Sequence, residues 1–178
     1  MNIVRKQFGF TLIEVLVTLL ITAIGLLGLA SLQIQTMNDQ FESIQRSQVT
    51  GLIEELAARI RTNPSDVKAG SYTAGSDYGQ AAIDCASKVA GAALDLCEWN
   101  NAILGAGVVT TDGSNVAAPV GALGCIYSVA SSGSVWTIRV AIAWQGFSKS
   151  LAPILDCGAN QYGEEAYRRA VFRDIVVR

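Results

Sequence analysis

The sequence predicts an α+β protein in which a long N-terminal helix carries a small antiparallel β-sheet on its C-terminal half. Three observations lead there. Residues 10–30 form an apolar run whose only charge is Glu14. Helical patterning continues from that run to Asn63-Pro64 without a break, and the last third of the chain alternates like strands, most clearly in VWTIRVAIAW at 135–144. A length of 178 residues with 51% hydrophobic and 16% charged side chains leaves enough apolar material for one globular domain plus an appendage.

The first element is long enough to cross a membrane, because about 21 helical residues span about 30 Å of hydrocarbon. Arg5 and Lys6 precede it and the next basic residue is Arg46, so the positive-inside rule places the N-terminus in the cytoplasm and the rest outside. A secretory signal cleaved after Ala30, at Gly28-Leu29-Ala30, is the competing reading and would release a secreted adhesin or enzyme. Against it stand the length of the run, the carboxylate within it and the helical pattern that continues past it.

Beyond residue 30 the helix becomes amphipathic. Met37, Phe41, Ile44, Gln48, Leu52, Leu56 and Ile60 follow steps of three and four along one face, expected to pack on a domain, with Asp39, Glu42, Arg46, Glu54, Glu55 and Arg59 left to water. Proline 64 stops the helix, because the residue before a proline is pushed out of the α region. Gly25 and Gly28 serve either as close-packing positions or as a soft point. Residues 65–79, rich in Gly, Ser and Thr, read as a loop, and 80–104 as short helical stretches around Gly91.

In the strand VWTIRVAIAW, Trp136, Ile138, Val140, Ile142 and Trp144 share one face, expected to lie against the amphipathic half of the helix. Residues 125–131 form the preceding strand, joined through Ser132-Gly133-Ser134, and 170–177 the last.

Composition narrows the function. A formal charge of −2 supplies no basic field, so nucleic acid is not an expected partner. The chain has no histidine, the commonest general base and metal ligand, and no GxSxG elbow, so no catalytic constellation, cofactor or metal site is expected. Arg168, Arg169, Arg173 and Arg178 form a local basic cluster, expected to be solvated or to pair with Glu164 and Glu165. Tyr162, Tyr167 and Phe172 read as packing residues.

Cys85, Cys97, Cys125 and Cys157 include no Cys-x-x-Cys pair, which favours disulfides in an oxidising compartment over zinc. On one straight helix Cys85 and Cys97 would lie about 18 Å apart, beyond disulfide reach, so their pairing requires a reversal such as Gly91 can supply. A continuous helix with other cysteine partners is the alternative, and four cysteines permit three connectivities.

The basic leader, Gly9, Phe10-Thr11-Leu12-Ile13-Glu14 and the apolar run resemble the N-terminus of type IV pilins and of the pseudopilins of type II secretion. The resemblance implies a type IV pilin fold and a class III prepilin leader, residues 1–9, that prepilin peptidase cuts after Gly9 before methylating the new amine of Phe10. Residues 10–30 would then be the transmembrane and filament-core helix, 31–63 its amphipathic half and 64–178 a periplasmic pilin head. It further implies that Glu14 meets the Phe10 amine of a neighbouring subunit. In a low-dielectric bundle that attraction is strong and an unpaired charge is costly, so the pair sets register.

The segments GLLGLASLQ, DLCEWNN, WQG and CGANQYGEEAYRRAVF resemble the PilV branch of minor pilins. That implies a subunit that helps to initiate pilus assembly at the inner membrane and then enters the filament at the cell surface. Its partners would be other minor pilins and the major pilin through their N-terminal helices, prepilin peptidase, the inner-membrane assembly platform and the membrane. A minor pseudopilin of type II secretion shares the opening motif and is the alternative. A Cys125–Cys157 pair would resemble the C-terminal disulfide loop of pilins. Two features depart from the pattern: no proline interrupts residues 10–63, so no kink is expected, and four cysteines exceed the usual single pair.

Overall fold

The computed structural model describes residues 9–72, 76–105, 111 and 118–178. Residues 1–8 of the expected leader, Arg5 and Lys6 among them, and 73–75 of the expected loop lie outside these. The elements in order are α1 (Leu12–Thr62), α2 (Pro64–Lys68), β1 (Ser76–Tyr78), α3 (Ala92–Ile103), β2 (Leu123–Ser132), β3 (Val135–Gln145), a single 3-10 turn at Glu165–Tyr167 and β4 (Arg168–Val177). This is the α+β layout expected, a long N-terminal helix with a four-stranded antiparallel sheet packed against it, and it is consistent with the type IV pilin fold. Two compact units divide the chain, one ending at Gln40 and the other running from Phe41 to Arg178.

Among the described residues of the first unit the chain is helical from Leu12 on, and the apolar side chains are all exposed. The second unit holds the core. Its sheet is a meander in the order β1-β2-β3-β4, every pair antiparallel. The turn between β2 and β3 has Gly133 and Ser134 as its two central residues, and Gly133 takes a φ of 59° that glycine adopts without steric cost. A shift of register between Ser128 and Ala130 leaves Val129 without a partner in β3.

Along β3, Ile138, Val140, Ile142 and Trp144 are buried in one cluster with Val49, Ile53, Leu56, Ala57 and Ile60 of α1, Trp99 and Ile103 of α3, and Ile175 and Val177 of β4. The opposite face of β3, Ala141 and Ala143, is also buried, under Cys125 and Cys157 with Leu155 and Tyr162 packed on them. Alanine is small enough there for the chain at 155–162 to lie close. A Cβ on Gly158 would already stand 3.0 Å from that of Ala143.

Several sequence expectations are corrected. The face of α1 that enters the core is Gln45, Val49, Ile53, Leu56, Ala57 and Ile60, whereas Met37, Phe41 and Ile44 are about half exposed. The two stripes share Leu56 and Ile60, Leu52 of the expected one is half-buried against the same core, and they diverge toward the N-terminus. Sheet strands twist, and contact follows the inclined i, i+4 ridge 45–49–53–57 more closely than a line parallel to the axis. Residues 65–79 are not all loop, since Pro64 opens α2 and Ser76–Tyr78 pair with β2. The expected short helices around Gly91 are instead one helix, α3, that begins immediately after it.

The arginine cluster is dispersed. Arg168 is buried at 4% exposure, its guanidinium donating to Glu165 and to the carbonyls of Pro153, Leu155 and Cys157. Arg169 reaches Glu42, Arg173 pairs with Glu54, and Arg178 is exposed. Glu164 pairs with Lys149 at 2.7 Å. Alternation along the strand causes this, because Arg169 and Arg173 share the α1 face of β4 while Arg168 lies on the other. Phe172 is 48% exposed, with the Arg139 guanidinium 4.3 Å from its ring, and so is not a core residue.

Candidate functional site

The N-terminal motif opens α1. Gly9 and Phe10 precede the helix, and Phe10 is 84% exposed. Thr11 caps the first turn: its carbonyl accepts from the Glu14 and Val15 N–H groups at 3.1 and 3.3 Å, and its hydroxyl accepts from Glu14 N–H at 3.4 Å. This places Glu14 in the first turn, where the positive end of the helix dipole favours a carboxylate. Among the described residues nothing pairs with that carboxylate.

From Leu12 to Leu32 every large apolar side chain is between 46% and 78% exposed, on all sides of the helix. Such a surface is far larger than soluble proteins leave in water and requires lipid or other helices around it. Two of its hydroxyls are satisfied within the helix. Thr18 and Thr22 donate to the carbonyls of Val15 and Thr18 at 2.8 and 2.7 Å, so neither hydroxyl needs water. Among the described residues α1 is the one helix long and apolar enough to cross a membrane.

The four cysteines form two disulfides, Cys85–Cys97 and Cys125–Cys157, with Cα atoms 5.7 and 5.8 Å apart. In the first, Gly91 (φ 109°) turns the chain into α3, and its Cβ position is occupied by the Asp66 carboxylate, which accepts from Ala92 N–H at 2.7 Å. In the second, Cys125 on β2 ties down the chain that crosses the outer face of β3, and Arg168 holds the same stretch through three of its carbonyls.

Two polar clusters have no sequence signal. One oxygen of Glu42 accepts from Phe147 N–H (3.1 Å), Ser148 N–H (3.4 Å), the Ser148 hydroxyl (3.2 Å) and Arg169 (3.0 Å). Burial alone would raise the pKa of Glu42, but the Arg169 charge and the Ser148 donors outweigh it and hold the carboxyl below the usual glutamate range. Asp95, 8% exposed, accepts from Asn63 (2.9 Å), Arg59 (3.3 Å) and the Tyr72 hydroxyl, joining α3 to the end of α1. Burial, followed by the bond to Asp95, pushes the Tyr72 hydroxyl far above its ordinary pKa. Partners 105 and 127 residues apart in the first cluster leave no local pattern to read.

Residues 4–30 match the prokaryotic N-terminal methylation motif. A comparison with curated proteins and one with solved structures each found no match. Together with the exposed apolar helix, the motif supports a type IV pilin or pseudopilin; it suggests a structural subunit, implies processing by prepilin peptidase and assembly into a pilus or pseudopilus, and fits anchoring in the inner membrane.

Proposed function

We propose that the chain is a minor pilin of the PilV type, a type IV pilus subunit that helps to initiate assembly and is incorporated into the filament. Residues 1–9 are the leader, 10–30 the membrane and filament-core helix, 31–63 its amphipathic half and 64–178 the periplasmic head. Prepilin peptidase cuts after Gly9 and methylates Phe10. The N-terminus faces the cytoplasm until the subunit leaves the bilayer for the filament at the cell surface. Other minor pilins and the major pilin are met through the N-terminal helices at the assembly platform.

The observation that carries this reading is a carboxylate without a partner among the described residues, in the first turn of a helix whose large apolar side chains from Leu12 to Leu32 are all exposed, within the stretch that matches the methylation motif. The Phe10 amine of a neighbouring subunit supplies the missing counter-charge once the leader is removed. In a site without water, that pairing rejects contacts that leave either charge alone.

N-terminal sequencing and mass measurement of the chain from membranes and sheared filaments tests it. The expected mature chain begins at methylated Phe10. A chain beginning at Ser31, or a functional one that retains residues 1–9, removes the reading. A pseudopilin shares the motif, and deletion separates the two: loss of pili supports the minor pilin, loss of a secreted cargo with normal pili the pseudopilin.

A further inference from the structure

Strand β4 forms an edge of the sheet, and the order β1-β2-β3-β4 leaves its outer side without a neighbour among the described residues. The Gly146 N–H bond to the Tyr167 carbonyl (2.8 Å) sets the phase of the β3–β4 ladder. Arg169, Val171, Arg173 and Ile175 bond to β3, and the N–H and C=O groups of Ala170, Phe172, Asp174 and Val176 point away from it. The Gln145 N–H, which goes to the Val120 carbonyl on the other side of β3, agrees with this phase. None of the outward groups has a partner among the described residues. Such a row is a template for one more strand.

Two cavities open where this strand meets α1. One, of about 340 Å³, lies between Glu42, Ser43 and Arg46 of α1 and residues 169–171 of β4. The other, of about 490 Å³, lies between Arg61 and the end of β4 at Val176 and Val177. Each holds an exposed arginine of α1, Arg46 or Arg61, that pairs with no carboxylate among the described residues. The neighbouring side-chain carboxylates are already taken: Glu42 by Arg169, Glu54 by Arg173 and Asp174 by Arg139. The α1 side of the edge therefore has an excess of cations. On its outer side Phe172 and Val176 are about half exposed.

We propose that the free edge of β4 receives an extended segment of a different protein, added to the sheet as a further strand, with its carboxylates against Arg46 and Arg61 and its apolar side chains against Phe172 and Val176. Backbone bonds to the outward groups supply the attachment, and the two flanks supply the selection. Side chains alternate between the faces of a strand, so the segment alternates acidic and apolar positions. The rise from Arg46 to Arg61 along α1 is about 22 Å. An extended chain covers that in about seven residues, so the two carboxylates stand roughly six or eight positions apart on one face. A second β4 is a poor occupant, because its own arginines would add to the excess of cations. The inference rests on the subunit reading only for where the partner is met, at the membrane or in the filament.

The test uses the full chain in membranes and sheared filaments, with a benzophenone amino acid replacing Phe172 and the product sequenced by mass spectrometry. The expected product joins position 172 to a segment of another protein that alternates acidic and apolar residues. Val176→Pro removes an outward N–H and no bond to β3, and lowers the yield roughly three- to tenfold. Arg46→Glu and Arg61→Glu lie at exposed, unpaired positions and each lower it by a similar factor. A lysine in place of the partner's facing carboxylate restores the Arg46→Glu loss. Unchanged yields in both arginine variants, a product with a second copy, a partner segment without carboxylates, or no product at all overturn the proposal. Losses in the arginine variants with full yield in a folded Val176→Pro chain overturn strand addition. Where the proline variant does not fold, the arginine variants and the lysine rescue decide. A chain absent from filaments that still gives the product in membranes defeats the filament reading and supports the contact.

Discussion

Glu14 and Glu42 are both carboxylates of α1, yet their surroundings assign them opposite tasks. Glu42 is satisfied within its own chain by four donors, and Glu14 by none among the described residues, which leaves Glu14 free for the proposed contact with another subunit. Glu14→Ala is expected to insert and be processed normally but to be depleted from sheared filaments, as immunoblots of membrane and filament fractions would reveal; equal recovery would defeat the assembly role. Glu42, Glu165 and Asp174 all have lowered folded-state pKa values. For Glu42, Arg169 and Ser148 outweigh burial. For Glu165 the Asn160 N–H leads, followed by Arg168, and for Asp174 the bond from Arg139 leads. Groups lowered in this way stabilise the fold fully above pH 4.5, the ordinary glutamate value, and lose that contribution as the pH falls through their folded values. Urea midpoints should drop on acidification below that point. Glu42→Gln should cost about 1–2 kcal/mol at pH 7 and flatten the acid-side decline.

At the scale of elements, α1 displays two stripes that share Leu56 and Ile60, and of the expected one Leu52 also packs against the core while Met37, Phe41 and Ile44 stay outside it. Leu56→Ala removes a fully buried side chain and should cost about 2–5 kcal/mol. Ile44→Ala, at an exposed position of the other stripe, should cost about 0.5 kcal/mol or less. Chemical denaturation of both variants measures the difference, and similar losses would mean that the packed face is misassigned. The α3–β2 contact depends on Gly124, where a Cβ would meet Trp99 and Ile103 atoms at 2.6 Å. Gly124→Ala should therefore destabilise by about 1–3 kcal/mol through overpacking.

Across the whole molecule, two disulfides close loops with sequence separations of 12 and 32 residues, one leading into α3 and the other over the outer face of the sheet. On the chain-entropy model they contribute roughly 3 and roughly 4 kcal/mol. Replacing Cys125 and Cys157 by serine should thus lower the unfolding free energy somewhat more than replacing Cys85 and Cys97, and equilibrium unfolding of the two double variants compares them. Three Arg168 bonds to the carbonyls of the second loop persist when its disulfide is removed, so loss of β4 register is not expected.

The N-terminal segment was legible in the sequence because its signal is local. A carboxylate and a long apolar run are local signals that lipid or partner helices read without further folding. The strand VWTIRVAIAW was legible for the same reason, since alternation alone assigns its faces. Which stripe of α1 the sheet covers was not legible, because strand twist and the size of facing side chains decide it. Nor was the scattering of Arg168, Arg169 and Arg173, adjacent in sequence but sent to opposite faces of β4. The Glu42 and Asp95 clusters join residues that only long-range packing brings within reach, and hydrogen bonds across such separations leave no periodic trace in the chain.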